Sequence, residues 1–244
     1  MKDQQAPRRW PLLSRLHFAR MKGWKARRFG QARHGSAVSQ PGSIPGMTGF
    51  SPRAAVLERL PAPDRKFLLE LARETLGRLA VPGSSPNLMR EVPPSLEEKR
   101  ACFVTLTKAG QLRGCIGQVF SHVPLYQAVI DNSRSAALRD PRFAPVQFGE
   151  VDQVKIEISL LTEPEPLRFS SPQELLEKLQ PLEHGVLLQI DGHLATFLPQ
   201  VWAQVPDKTE FMGRLSQKAG YLASDWRGKQ ASVSIYRVES FGEN

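Results

Sequence analysis

The sequence predicts an α+β fold, a mainly antiparallel sheet flanked by helices. Three observations carry this. Residues 101–119 and 184–198 each read as two short strand-forming runs joined by a glycine-containing turn. Segments of helical periodicity separate these hairpins without a regular βαβ repeat. A further strand, residues 153–162, alternates cleanly between apolar and polar residues.

The elements follow in order. Between Asp64 and Leu79, Phe67, Leu68, Leu71, Ala72, Thr75, Leu76 and Leu79 recur at three- and four-residue spacing, an amphipathic helix with Asp64 as its N-cap. "VPGSSPNLMREVPPS" breaks regular structure and reads as a surface loop. In "ACFVTLTKAGQLRGCIGQV" the turn falls at Lys108–Gln111. A second helix spans Pro124–Leu138, ending before "RDPRF", where Pro141 disfavours helical geometry at Asp140. In "QVKIEISLLT", Val154, Ile156, Ile158 and Leu160 share one face, and Lys155, Glu157 and Ser159 form a wet one. "SSPQELLEKL" carries the capping signature Ser171, Pro172, Glu174. The second hairpin turns at Asp191–Gly192, a helix containing Phe211 and Leu215 stops at Gly220, and "ASVSIYRV" is the closing strand.

Charge divides the chain at about residue 50. Residues 1–50 hold ten Lys/Arg against one Asp, a balance of +9 that equals the net charge of all 244 residues. Residues 51–244 are therefore neutral, which argues against nucleic-acid binding by the folded part. Residues 1–50 lack the apolar run of a secretory signal and end in a Ser/Gly/Pro stretch; they read as a basic, disordered extension and linker, with Met47 as an alternative start. No run is apolar enough for a membrane span. Two cysteines without a secretion signal imply a reducing, cytoplasmic compartment. The five scattered histidines, with no CxxC, HExxH or Walker pattern, lead us to expect no metal site and no cofactor.

The candidate site starts from "LRGCIG", residues 112–117. Glycine inside a strand marks a bulge or a close backbone approach, so Gly114 and Gly117 around Cys115 and Ile116 suggest backbone open to a ligand. Arg113 lies two residues from Cys115, on the same face of an ideal strand, where its charge would favour a nucleophilic thiolate. The alternative is a small, inert core cysteine. In an ideal hairpin Cys102 falls on the face of Cys115, as packing neighbour or redox partner. "RDPRF" sets Arg139 and Arg142 around Asp140, either as an anion-binding fork or as a self-paired loop. His184 and His193 flank the second hairpin, each a candidate base or a turn residue.

Taken together, "ACFVTL…GQLRGCIGQV", "RDPRF", "VKIEISLLTEPEPL", "HGVLL", "ATFLPQVW" and "EFMGRLSQKAG" resemble the AMMECR-domain family, whose bacterial members include the AmmeMemoRadiSam system protein A. The likeness runs from about Asp64 to Phe241. It implies a larger and a smaller subdomain with the "LRGCIG" segment facing a cleft between them, and association with a Memo-like protein and a radical SAM enzyme. The resemblance leaves the question of an enzyme open. Its hallmark falls on Leu112 to Gly117 and its second cluster on Arg139 to Phe143. Gln118 departs from the small or hydroxylated residue anticipated there, and His193 occupies a variable position, so His184 is the better base. The resulting expectation is a small anionic or carbonyl ligand in the cleft. Cys115, Arg113 and His184 would be reactive, and Gly114, Ile116, Gly117, Arg139, Asp140 and Arg142 would bind. The alternatives are a non-catalytic adaptor for the two partner proteins and, third, a nucleic-acid-binding protein that uses the basic N-terminus, against which the neutral body argues.

Overall fold

The computed structural model describes residues 59–79, 91–228 and 230–243. The readings of the N-terminal extension, the Met47 start and most of the loop after residue 80 lie outside them.

Apolar periodicity builds two helices over the first sheet. Helix α1, Ala62–Gly77, buries Phe67, Leu68, Leu71, Ala72, Thr75 and Leu76, and each fully buried leucine contributes about 2 kcal/mol. Pro61 occupies its N-cap position with no side-chain cap; Asp64 lies three residues further in, in the first turn, where it accepts a hydrogen bond from Ser95 Oγ. Helix α2, Leu125–Leu138, starts one residue later than anticipated, with Pro124 at its N-cap position, and ends where expected. Both cover strands β1, Cys102–Lys108; β2, Gln111–Gly117; and β3, Val154–Leu161.

The second unit opens with four elements. These are β4, Glu165–Pro166; α3, Pro172–Lys178; and the hairpin β5, Gly185–Ile190, with β6, His193–Phe197. Helix α4, Lys208–Ala219, ends at Gly220, whose φ of 93° is the left-handed cap that glycine adopts readily. Ser171 caps α3 by accepting from Glu174 N–H, while the Glu174 carboxylate turns to Ser170 N–H instead of Ser171. Both hairpin turns hold two successive positive φ values, Ala109–Gly110 and Asp191–Gly192, matching the right-handed twist of the strands they join.

The closing segment is two strands, not one. β7, Ala231–Tyr236, and β8, Val238–Gly242, are separated only by Arg237 and belong to different sheets. The first sheet runs β2-β1-β3-β8 and the second β4-β7-β5-β6, every pair antiparallel. The chain thus crosses from the first sheet to the second after β3 and returns at Arg237. The two crossings are tied together, with Thr162 N–H donating to Arg237 O and Arg237 N–H to Thr162 Oγ1, both at 3.0 Å.

Each sheet has its own apolar core, one under α1 and α2, the other under α3 and α4 around Trp202, Phe211 and Trp226. A third, smaller cluster joins them, with Ala101, Val119 and Leu161 from one side against Leu187 and Tyr236 from the other and Phe103 packed on it. This seam explains why the wet face of β3 fades. Lys155 is exposed, but Ser159 and Leu161 are buried, because the end of β3 runs beneath the second sheet. No helix among the described residues is long and apolar enough to cross a membrane.

Candidate functional site at the seam

A single bulge decides where the cysteine points. From the turn at Ala109–Gly110, pairing proceeds as Lys108 with Gln111 and Thr107 with Leu112, then shifts so that Leu106 faces Gly114 and Thr105 faces Cys115. Arg113 is the extra residue. Had pairing continued without the shift, Cys115 would oppose Val104 and share the face of Cys102; with the shift, every later side chain of β2 changes face. The expectation that the two thiols share a face is therefore overturned. Cys102 lies in the main core, where Asn132 Nδ2 donates to its carbonyl oxygen and its sulfur at 3.1 and 3.3 Å. Cys115 lies on the opposite face, the one carrying Phe103 and Thr105 towards the seam. The two cannot form a disulfide.

The glycines have a packing cause. A Cβ at Gly114 would overlap the Ala136 carbonyl oxygen and stand 3.0 Å from its carbon, so the glycine lets α2 lie directly on β2. A Cβ at Gly117 would enter the Phe103 ring and come 2.5 Å from Cys102 O. The space beside both residues is filled by protein, which corrects the reading of glycines that leave a cleft wall open. Ile116 shares the face of Gly114 and packs on the main core.

Cys115 itself is half-buried and enclosed by named partners. Thr105 Oγ1 donates to its sulfur at 3.3 Å, and its N–H donates to Asp140 Oδ2 at 2.8 Å. Its carbonyl oxygen accepts from Arg142 Nη2 at 3.3 Å. Asp140 is buried and is held by Arg142 Nε at 2.9 Å, Arg142 Nη2 at 2.6 Å and Arg142 N–H at 3.1 Å. Those donors outweigh loss of hydration and hold its carboxyl below the usual value. "RDPRF" is thus a self-paired loop that also grips the strand carrying Cys115. Arg139 takes no part in this grip; it is exposed, caps α2 and donates its N–H to Ser135 O. Burial pushes the Cys115 thiol up, only partly opposed by the Thr105 hydrogen bond and by the charges of Arg142 and Lys218. At neutral pH it rests as the protonated thiol.

The structure separates two of the anticipated residues from this group. Arg113, displaced by the bulge, donates through Nη2 and Nε to Glu150 at 2.9 and 3.3 Å and through Nη1 to Ala144 O at 2.8 Å. With Lys108 it holds the Glu150 carboxyl down at about 2. Its charge is spent there and not on the thiol. His184 is buried in the second unit, where its Nδ1 accepts from Gln180 N–H at 3.2 Å and its carbonyl accepts from Trp202 Nε1 at 2.8 Å. The charges it senses are Arg237, Glu183 and Lys208, none of them beside Cys115. His193 pairs with Tyr221 on the surface.

Two residues enter the site that sequence reasoning did not single out. Thr105 follows only from the bulged register. Lys218 comes from α4, across the seam, with its charge acting on both Cys115 and Arg142. A signal for it existed. Lys218 falls three residues after Leu215 and seven after Phe211, which puts a lysine on the buried stripe of its helix. Among the described residues there is no grouping of three His, Cys, Asp or Glu side chains suited to a metal ion.

Comparison with known proteins agrees with this architecture. The chain is 36% identical over 184 residues to a protein of Methanosarcina acetivorans, covering 74% of this chain and 92% of that one. It is 34% identical over 192 residues to one from Methanopyrus kandleri, at 76% and 91% coverage. A crystal structure of an uncharacterized protein from Pyrococcus horikoshii superposes with a TM-score of 0.70 at 31% identity, covering 75% of this chain and 92% of that one. The AMMECR1 family pattern matches residues 69–241, spanning both sheets and every residue of the seam described above, and the chain belongs to the AMMECR1 family.

Proposed function

We propose that this protein binds a small anionic or carbonyl ligand at the seam between its two sheets, with Cys115 as the reactive side chain. One observation carries the reading. The Asp140–Arg142 pair grips the strand that carries the Cys115 thiol, and the charge of Lys218, from the second unit, acts on that thiol and on Arg142. Charged groups from separate elements are costly to bring together in a half-buried place, and functional sites collect them. The resemblance of the "LRGCIG" and "RDPRF" segments to bacterial AmmeMemoRadiSam system protein A supports a role in that system, alongside a Memo-like protein and a radical SAM enzyme. Thiols held on opposite faces of one sheet suit a reducing compartment, and we place the protein in the cytoplasm.

A second reading, the adaptor, is favoured by different side chains. Phe148 and Leu222 stand 67% and 72% exposed, apolar surface of the kind that partner proteins cover. Native mass spectrometry of protein isolated from cells separates the two. The ligand reading expects a bound small molecule that is lost on Cys115→Phe, which fills the seam. A chain that carries none, and whose Cys115 resists alkylation as fully as Cys102, would leave the adaptor.

A further inference from the structure

Each sheet ends in two edge strands, and an edge leaves a row of backbone N–H and C=O groups unpaired. Three of the four edges are already engaged or cut short. On β2 the N–H and C=O of Cys115 are taken by Asp140 and Arg142. On β6 the carbonyl oxygen of Thr196 accepts from Lys218 Nζ at 2.8 Å, and β4 is only two residues long. The edge of β8 has none of this. Glu243 N–H donates to Ile156 O at 3.0 Å, which fixes the alternation along the strand. Glu239, Phe241 and Glu243 turn their backbone groups to β3, while Val238, Ser240 and Gly242 turn theirs outward. Ser240 and Gly242 are exposed, and no described residue takes up these outward groups.

A groove of about 440 Å³ runs beside this edge, between β8 and α1. Its apolar lining includes Leu69 and Phe241, both packed on the main core. Helix and strand run in the same direction, with Arg65 3.8 Å from Glu239 at one end and Arg73 Nε donating to Glu243 at 2.9 Å at the other. From Arg65 to Arg73 the helix rises about 12 Å, and from Glu239 to Glu243 the strand rises about 13 Å, so the two stay level. On the rim Lys66 and Glu70 stand one helical turn apart, 3.8 Å from each other. Each cation of the groove thus faces a carboxylate of its own, Arg65 with Glu239, Lys66 with Glu70 and Arg73 with Glu243. That balance leaves no excess charge to select a strongly acidic or strongly basic partner.

We propose that the partner of this edge is a second copy of the chain, joined β8 to β8 about a two-fold axis at Ser240. The outward groups are their own complement. With Ser240 of the two copies opposite each other, Val238 of each falls opposite Gly242 of the other, and every outward N–H meets an outward C=O. The first sheets of the two copies then continue as one. Because α1 runs level with β8, the same axis sets the two α1 helices antiparallel on one face of the joined sheet. Lys66 of each copy is brought towards Glu70 of the other, and the two apolar grooves close against each other. Opposite charges one turn apart are self-complementary in this antiparallel arrangement, whereas parallel helices would set like charges together.

The test is sedimentation velocity of the full chain over a dilution series, with hydrogen exchange read at single amides. A dimer should form, and the Ser240 and Gly242 amides should exchange slowly where it is populated and fast where dilution dissociates it. Ser240→Pro removes an outward N–H without touching the pairing with β3, as an edge strand tolerates. Lys66→Glu, at a side chain 79% exposed, sets like charges across the axis and leaves the core of α1 untouched. Each should weaken dimerisation at least ~10-fold. A chain that stays a monomer throughout would overturn the proposal. So would a dimer indifferent to either variant, since the copies would then meet elsewhere. Slow exchange at Ser240 and Gly242 in a monomer would overturn it too, by assigning the edge to a segment of the same chain.

Discussion

Replacing Gly114 by alanine asks directly whether the glycine of the hallmark segment exists for packing or for a ligand. The new methyl carbon would sit 3.0 Å from the Ala136 carbonyl carbon and overlap its oxygen. The obstacle is backbone in the last turn of α2, so no rotamer change relieves it. Either α2 lifts from the sheet or β2 withdraws from β1. Lifting α2 would loosen Ala136 and Ala137, both buried, and strain the Asp140 contact to Cys115 just beyond the helix end. Overpacking typically costs 1–3 kcal/mol, and a rigid obstacle belongs at the upper end, so we expect about 3 kcal/mol. For a folded part of this size that is a fall of roughly 6–12 °C in Tm. Urea and thermal melts of Gly114→Ala beside the unaltered chain measure it. A Tm within about 2 °C of the parent would refute the packing account and return the glycine to ligand access.

Two further outcomes follow from the same contacts. Asp140→Asn should lower stability at neutral pH by about 3 kcal/mol, since it leaves Arg142 without its counter-charge in a place where the carboxylate is 2% exposed. The Asp140 carboxyl is held below its ordinary 3.8, so its contribution is complete above that pH and is lost as pH falls through the native value; the gap between variant and parent should close in acid. For the thiols, iodoacetamide should label Cys115 slowly at neutral pH and increasingly beyond pH 9.0, with Cys102, pushed up to about 12, inert until unfolding. Arg113→Ala should leave the Cys115 rate unchanged, because that guanidinium is bound to Glu150; a several-fold change would place its charge on the thiol after all.

The elements of this protein were legible because their causes are local. The stripe from Phe67 to Leu76, the turn at Asp191–Gly192 and the stop at Gly220 depend on residues within a few positions of one another, and periodicity or turn chemistry is enough to place them. The "RDPRF" loop was legible for the same reason, with Asp140 and Arg142 two residues apart. Cys115 was singled out from its local setting, but the neighbours expected for it are not the ones that surround it. Arg113 bulges out of β2, and that one inserted residue reverses the face of all that follow, so an alternation rule applied across it brings Cys102 in and leaves Thr105 out. Nor does any local pattern reveal that β7 and β8, one residue apart, serve different sheets. That crossing at Arg237 folds the second unit back on the first and brings α4 to the seam. Lys218 lies 103 positions from Cys115 in the sequence. Local rules could mark it as a lysine on an apolar stripe, but only the closure of two cores around a shared seam decides which thiol its charge meets.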